Sequence, residues 1–214
     1  MAYYLPEGSK LFMSTGLDSA KAVSVASNAT PSALLTAVGH GYVDGDFALF
    51  NSGWEDADAT IWKMDQQTVD TTLAVGLDSS DTTWFPAGSG TGSLQRVSGW
   101  LELTQWLDIQ MTGGDGKDVT VSPISRRNDI VMPAGFNAAS ITLTFGHDIN
   151  LASQQALITA SRGLQKRAFK AVIAGGMVGT FYGNVSFNEM PQIRKGSVLT
   201  VTARVNVLGR FISY

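Results

Sequence analysis

The chain has 214 residues, of which 44% are hydrophobic, enough to bury the core of one large domain or of two small ones. Its formal net charge is −3, and it contains no cysteine, which excludes disulfide frameworks, thiol nucleophiles and cysteine-based metal sites. The first ten residues lack the basic start and apolar core of a signal peptide, and no apolar run approaches the roughly 18 residues of a membrane span. We therefore expect a soluble protein made in a cytoplasm.

Residues 45–92 predict a β-meander followed by a long loop. Runs at 47–50, 59–64 and 71–75 are rich in β-branched or aromatic residues and are bounded by Gly, Asn or Asp. Residues 77–96 are then rich in Asp, Ser and Gly, and loops longer than about 12–15 residues are usually functional or disordered. Because Trp84 and Phe85 have no obvious local core, we expect this loop to be mobile and to contact a partner.

The second half of the chain predicts further strands. They are expected at residues 100–110, 119–121, 141–145, 169–173, 178–182, 185–187 and 198–208. Alternation is clearest in the last of these, where one face is apolar and the other polar. The predicted core face consists of Leu199, Val201, Ala203, Val205 and Val207, and the opposite face of Thr200, Thr202, Arg204 and Asn206.

One helix is predicted, at about residues 150–163. The segment contains good helix formers, Asp148 or Asn150 can cap its start, and Gly163 can end it. Ala152, Ala156 and Ala160 line one face, and the apolar arc is wide enough to be covered on more than one side. The fold class is therefore mainly β, a β-sandwich or barrel with one flanking α-helix, in a single domain over residues 1–214.

Motifs for catalysis or metal binding are missing from the sequence. His40 lies in a Gly-His-Gly turn, and His147 has no third histidine near it and no zinc-ligand spacing. No G-x-S-x-G nucleophile elbow occurs, and the glycine-rich residues 88–93 are not followed by the Lys-Ser/Thr of a P-loop. We therefore predict no enzymatic activity, no cofactor and no metal.

Charge is divided unevenly along the chain. Residues 1–118 contain 15 acidic and 5 basic residues, whereas residues 119–214 contain 3 acidic and 10 basic residues. One explanation is chance, with the charged residues lying on solvent-exposed faces that have no common role. The other is that an acidic surface of one copy meets the basic surface of the next copy. A basic cluster at Arg162, Lys166, Arg167 and Lys170 has no interleaved aromatic stacking platform, and the pI of about 5.3 disfavours nucleic-acid binding. The candidate inter-subunit contact residues are Asp78, Asp81, Trp84, Phe85, Arg162, Lys166 and Arg167.

Short segments along most of the chain resemble a phage tail tube protein of long, flexible, non-contractile tails. The matching segments are GDF at 45–47, NSGW at 51–54, LDSSD at 77–81, WFPAGSG at 84–90, MPAG at 132–135, FGHD at 145–148, YGNVSFNEMP at 182–191 and the last strand and tail at 204–214. Their order and spacing, rather than any one of them, carry the resemblance.

The resemblance implies a self-assembling structural protein of the virion tail. In that family, six subunits close a ring by extending their sheets, and the rings stack into a hollow tube through which DNA passes without specific binding. Its other partners would be the tape measure, terminator and distal tail proteins. Two alternatives stay open: a carbohydrate-binding β-sandwich that uses Trp54, Trp84 or Trp100, and the tube of a related secretion or bacteriocin system.

Overall fold

The computed structural model describes residues 7–214; the start of the N-terminal segment, in which no signal peptide is predicted, lies outside the described residues. The structure is mainly antiparallel β with one α-helix, α1 (Ala152–Arg162), and a 3-10 turn at Glu55–Ala57. The strands are, in chain order, β1 (Lys10–Leu17), β2 (Lys21–Val23), β3 (Val25–Ala26), β4 (Ala33–Thr36), β5 (Phe47–Ser52), β6 (Thr60–Gln66), β7 (Thr71–Ala74), β8 (Gly92–Leu103), β9 (Trp106–Thr112), β10 (Gly116–Val121), β11 (Ile130–Phe136), β12 (Ser140–Gly146), β13 (Lys166–Val172), β14 (Val178–Phe187), β15 (Thr200–Val207) and β16 (Ile212–Ser213).

Fourteen of these strands form one continuous sheet. Its order is β3-β4-β7-β6-β5-β8-β1-β13-β14-β15-β12-β9, with β2 attached to β8 and β16 attached to β14. The predicted meander is confirmed, because β6 pairs with both β5 and β7. The sheet folds over itself, since the Thr180 hydroxyl on β14 donates to the Ile61 carbonyl on β6 (3.0 Å). The predicted class, a β-sandwich with one helix, is confirmed.

Three clusters of buried apolar side chains hold the layers together. The first core lies within β2–β8 and contains Phe50 and Trp54. The second core lies between α1 and the sheet of β1 and β12–β15, and contains Phe145 and Leu157. The third, which includes Leu49, fills the space where the sheet folds over. Strand β5 is consequently buried on both faces, which explains its uninterrupted apolar run.

The helix has about the predicted extent, but its N-terminal cap and its buried face differ from the prediction. Its N-cap is Leu151, which makes no side-chain cap, so the expected cap by Asp148 or Asn150 is wrong. Gln154 instead ties the first turn of the helix to the preceding segment, because its amide donates to the Gly146 carbonyl and its side-chain oxygen accepts from the N–H of Asp148. The buried residues are Ser153, Gln154, Leu157 and Ala160, whereas Ala152 is exposed.

The C-terminal end of α1 is a Schellman motif. The N–H of Gln165 donates to the carbonyl of Ala160 (2.8 Å), and the N–H of Leu164 donates to the carbonyl of Ser161 (3.0 Å). Gly163 ends the helix as predicted, but its φ is −83°. The left-handed position belongs to the next residue, Leu164, with φ 49°.

Several predicted boundaries change. The long loop covers residues 75–91 rather than 77–96, because β8 begins at Gly92 and pairs with β5. Residues 100–110 belong to two strands, β8 and β9, which are separated by a turn with Gln105 at φ 59°. In β15 the predicted register is confirmed for Val201, Ala203 and Val205, which are buried. Leu199 precedes that strand and is exposed, so it does not belong to the core face as predicted.

Candidate functional site

The described residues contain little that could support chemistry. No group of three or more His, Cys, Asp or Glu side chains in residues 7–214 could hold a metal ion. Within the same range, no helix has the length and apolarity needed to cross a membrane. His40 is buried in its turn, where Nε2 donates to the Thr68 carbonyl (3.1 Å) and Nδ1 accepts from the N–H of Tyr42 (3.0 Å). Other candidate features are the exposed loop, the basic residues and the exposed apolar strands.

The loop at residues 75–91, here called the Trp84 loop, is anchored to the first core. The Asn28 amide donates to the carbonyls of Ser79 (2.9 Å) and Phe85 (2.8 Å). Trp54 donates from Nε1 to the Pro86 carbonyl (2.8 Å), and its ring meets the Phe85 ring edge to face at 5.3 Å. Phe85 is thus a core residue, and these contacts argue against the expected mobility of the loop.

Two aspartates shape the exposed part of the Trp84 loop. Asp78 accepts hydrogen bonds from the Ser80 hydroxyl (2.7 Å), the Ser80 N–H (3.0 Å) and the Thr30 hydroxyl (3.0 Å). The Ser80 bonds, followed by that from Thr30, lower the pKa of the Asp78 carboxyl. Asp81 accepts from the N–H of Thr83 (2.9 Å). The result is a shaped acidic loop that presents Trp84 with 66% of its surface exposed.

The predicted basic residues divide between different environments. Arg162 forms a bidentate pair with Glu189 (2.8 and 2.7 Å), which raises the pKa of Arg162 and lowers the pKa of Glu189. Lys170 lies 4.7 Å from the centroid of the Trp100 ring, and desolvation by burial lowers its pKa. Arg162 and Lys170 are therefore engaged within the subunit.

Lys166 and Arg167 lie together beside a shallow groove of about 480 Å³, here called the basic groove. Arg167 donates to the carbonyl of Thr15 and to the side-chain oxygen of Gln165. The other residues that line the groove are Ser14, Leu17, Leu164, Gln165 and Tyr182. The groove belongs to the β1, β13 and β14 part of the sheet, whereas the Trp84 loop belongs to the first core, so the two groups attach to different parts of the subunit.

The open edge of the sheet at β9 was not recognised from the sequence. Leu107, Ile109 and Met111 are exposed on this strand. Ile109 and Met111 pair with Leu143 and Ile141 of β12, both of which are buried in the second core. The apolar face of the core thus continues onto an edge strand that nothing in the described chain covers, and such an edge is a template for pairing with another strand.

The hairpin of β10 and β11 is the second feature missed from the sequence. These strands pair only with each other, and β10 is exposed at every position. The exposed apolar residues of the hairpin are Val119, Val121, Ile124, Val131, Met132 and Phe136. Pro133 inside β11 was a usable signal, because proline in a strand indicates an edge or an exposed strand. Exposed apolar surface of this kind makes the hairpin a candidate site of contact with another molecule.

Comparison with known proteins assigns the chain to a family. No curated protein matches the chain. A family model described as phage tail tube protein, TTP, matches residues 52–214. The matched part contains the Trp84 loop, the β9 edge, the hairpin, α1 and the basic groove. The chain therefore belongs to the phage tail tube protein family, whose members are structural components of the virion tail.

Proposed function

We propose that the chain assembles with itself into rings of six subunits, which stack as the hollow tail tube that conducts DNA into the host. The subunit would be made in the host cytoplasm and would join the tape measure, terminator and distal tail proteins in the virion. The observation that carries the proposal is the open, apolar edge of β9 in a member of the tail tube family.

Ring closure is assigned to the β9 edge. This strand has seven residues and ends the main sheet, whereas β3 at the other end has only two. A strand of a neighbouring subunit that pairs with β9 would satisfy its outward backbone groups and cover Ile109 and Met111. In a ring each subunit supplies one such contact and receives one, so the series closes without an exposed edge.

Stacking is assigned to the hairpin of β10 and β11. The sequence predicted a partner contact for the loop at 77–96, and stacking of rings would be one such contact, but that loop buries Phe85 in its own subunit. The hairpin exposes more apolar surface, with Phe136 at its base and Ile124 in its connecting turn. A net charge of −3 agrees with a conduit that releases DNA, because extensive phosphate contacts would retard its passage.

Electron microscopy of the purified protein tests the proposal. We expect tubes or six-fold rings from the unmodified chain, whereas a lasting monomer that binds glycans would support the carbohydrate-binding alternative. Ile109→Lys should abolish rings, because it places a charge on the apolar face of the edge strand. Gln110→Lys is the matched control on the opposite face and should still form rings. Rings from Ile109→Lys at normal yield would exclude β9 as the closing edge.

A further inference from the structure

We propose that the Trp84 loop of one copy docks in the basic groove of a second copy. The inference rests on the proposed self-assembly and names two surfaces that meet in it. The loop contributes Asp78, Asp81 and an exposed indole, and the groove contributes Lys166, Arg167 and Leu164. Charge complementarity selects the second copy as the occupant of the groove.

The loop is already in a binding-competent shape. The Asn28 side chain holds its backbone, and the side chains of Asp78 and Asp81 hold the turns in which they lie. The contact of Phe85 with Trp54 fixes the base of the loop. A preorganised loop loses little conformational entropy on binding, so more of the contact energy appears as affinity. Tryptophan in particular is enriched among the residues that dominate binding energy at protein interfaces.

The groove offers a fixed guanidinium and an exposed ammonium. Arg167 is held by Thr15 and Gln165, while its Nε is buried without a hydrogen-bond partner in the described part of the chain. Lys166 is exposed beside it. Tyr182 lies in the groove with only 7% of its surface exposed, and thus supplies an aromatic wall. This combination suits an acidic loop that carries an indole.

Leu164 provides an independent observation. It occupies the left-handed position of a Schellman motif, where glycine is usual because a β-carbon disfavours that conformation. Its side chain is nevertheless apolar and 83% exposed at the rim of the groove. Backbone strain and apolar exposure are both unfavourable in the isolated subunit. A contact between Leu164 and the indole of Trp84 from a second copy accounts for the side chain at this position.

Disulfide trapping tests the contact directly, because the natural chain contains no cysteine. Thr83→Cys and Leu164→Cys subunits are mixed, allowed to assemble and oxidised. We expect a disulfide-linked dimer of the two variants that depends on assembly. Thr83→Cys mixed with Asn206→Cys, an exposed site on β15, is the matched control and should give none. No dimer from the first pair, or equal yields from both, would overturn the docking.

Assembly kinetics give a second readout. Leu164→Asn should keep or raise the Tm, since asparagine tolerates the left-handed conformation, yet slow nucleation by about tenfold or more. Trp84→Ala should slow nucleation by a similar factor. Val69→Ala also truncates an exposed apolar side chain and should leave the nucleation rate unchanged. If Trp84→Ala nucleates at the normal rate but no longer binds glycans that the unmodified chain binds, the docking is wrong and Trp84 is part of a sugar-binding surface.

The two proposals can fail separately. If the unmodified chain forms tubes but the cysteine pair does not cross-link, the docking is wrong and the tube function stands. If the unmodified chain forms no rings or tubes at all, the proposed function fails and the docking fails with it.

Discussion

Strands β15 and β10 have similar local sequences and opposite surroundings. Both alternate valine with threonine or other polar residues. In β15 the valines at 201 and 205 are buried in the second core, whereas the valines of β10 at 119 and 121 are exposed. The difference lies in what covers each strand, because α1 and the neighbouring strands cover β15 and nothing in the described chain covers β10. Alternation thus identifies an amphipathic strand but not the chain that buries it.

The same substitution in both strands should give the largest contrast. Val205 is 0% exposed, so Val205→Asp places an unpaired carboxylate in the core and should prevent folding. Val121 is 41% exposed, so Val121→Asp should change the free energy of unfolding by no more than about 1 kcal/mol while impairing assembly. Thermal melts and light scattering on both variants measure this. A folded Val205→Asp protein would contradict the assigned register.

Alkaline pH should lower the stability of the packed sheet, whose first core contains the buried Tyr42, and no tyrosine of the hairpin contributes to this effect. Burial raises the pKa of the Tyr42 hydroxyl to about 12, and residues 116–136 contain no tyrosine. Because the folded-state pKa exceeds the unfolded value near 10, the neutral hydroxyl favours folding fully below pH 10. This advantage disappears as the pH rises through about 12, a loss of about 2–3 kcal/mol.

Tyr42→Phe is the control for that titration. It removes the ionisable group, and with it a buried hydroxyl that has no partner in the described residues. Chemical denaturation from pH 8 to 12 should therefore show a shallower loss of stability for Tyr42→Phe than for the unmodified chain. Parallel curves would mean that Tyr42 does not contribute to alkaline unfolding.

Salt should affect assembly more than it affects folding. The acidic first half and the basic second half suggest complementary faces, and the screening length falls from about 8 Å at physiological salt to about 3 Å at 1 M. We expect nucleation rates, followed by light scattering, to fall across that range. A flat or rising rate would mean that the apolar surfaces of β9 and the hairpin dominate, and that the uneven charge is incidental.

Arg204→Ala should have the smallest effect. Arg204 adjoins Val205 but is exposed on the other face of β15, where it donates to the Ser140 hydroxyl (3.1 Å). Its replacement should change the free energy of unfolding by no more than about 0.5 kcal/mol. Thermal melts of Arg204→Ala and Val205→Asp should therefore differ sharply. The opposite order of stabilities would indicate a register error of one residue.

The sequence predicted what depends on local pattern. The alternating residues of β12 and β15, the meander and the extent of α1 all follow from periods of two or 3.6 residues. Features that depend on distant neighbours were not predictable. Gln154 ties the start of α1 to Gly146, and Phe85 becomes a core residue because Trp54 lies beside it. Trp84 and Lys166, which the sequence suggested as contact residues, are exposed, but their contact with another subunit stays a prediction. The β9 edge could not be predicted, because it requires knowing which strand ends the sheet.

Strand β8 has a consequence for how the subunit unfolds. Its 12 residues contribute Leu94 to the first core, Val97 to the third and Leu103 to the second. Local opening of any one core therefore disturbs a strand that the other two require. We expect amide hydrogens along β8 to exchange only by global unfolding, with protection close to the highest in the molecule. A subunit built this way would respond to force as one mechanical element, and the proposed role as a wall of a DNA conduit would require that property.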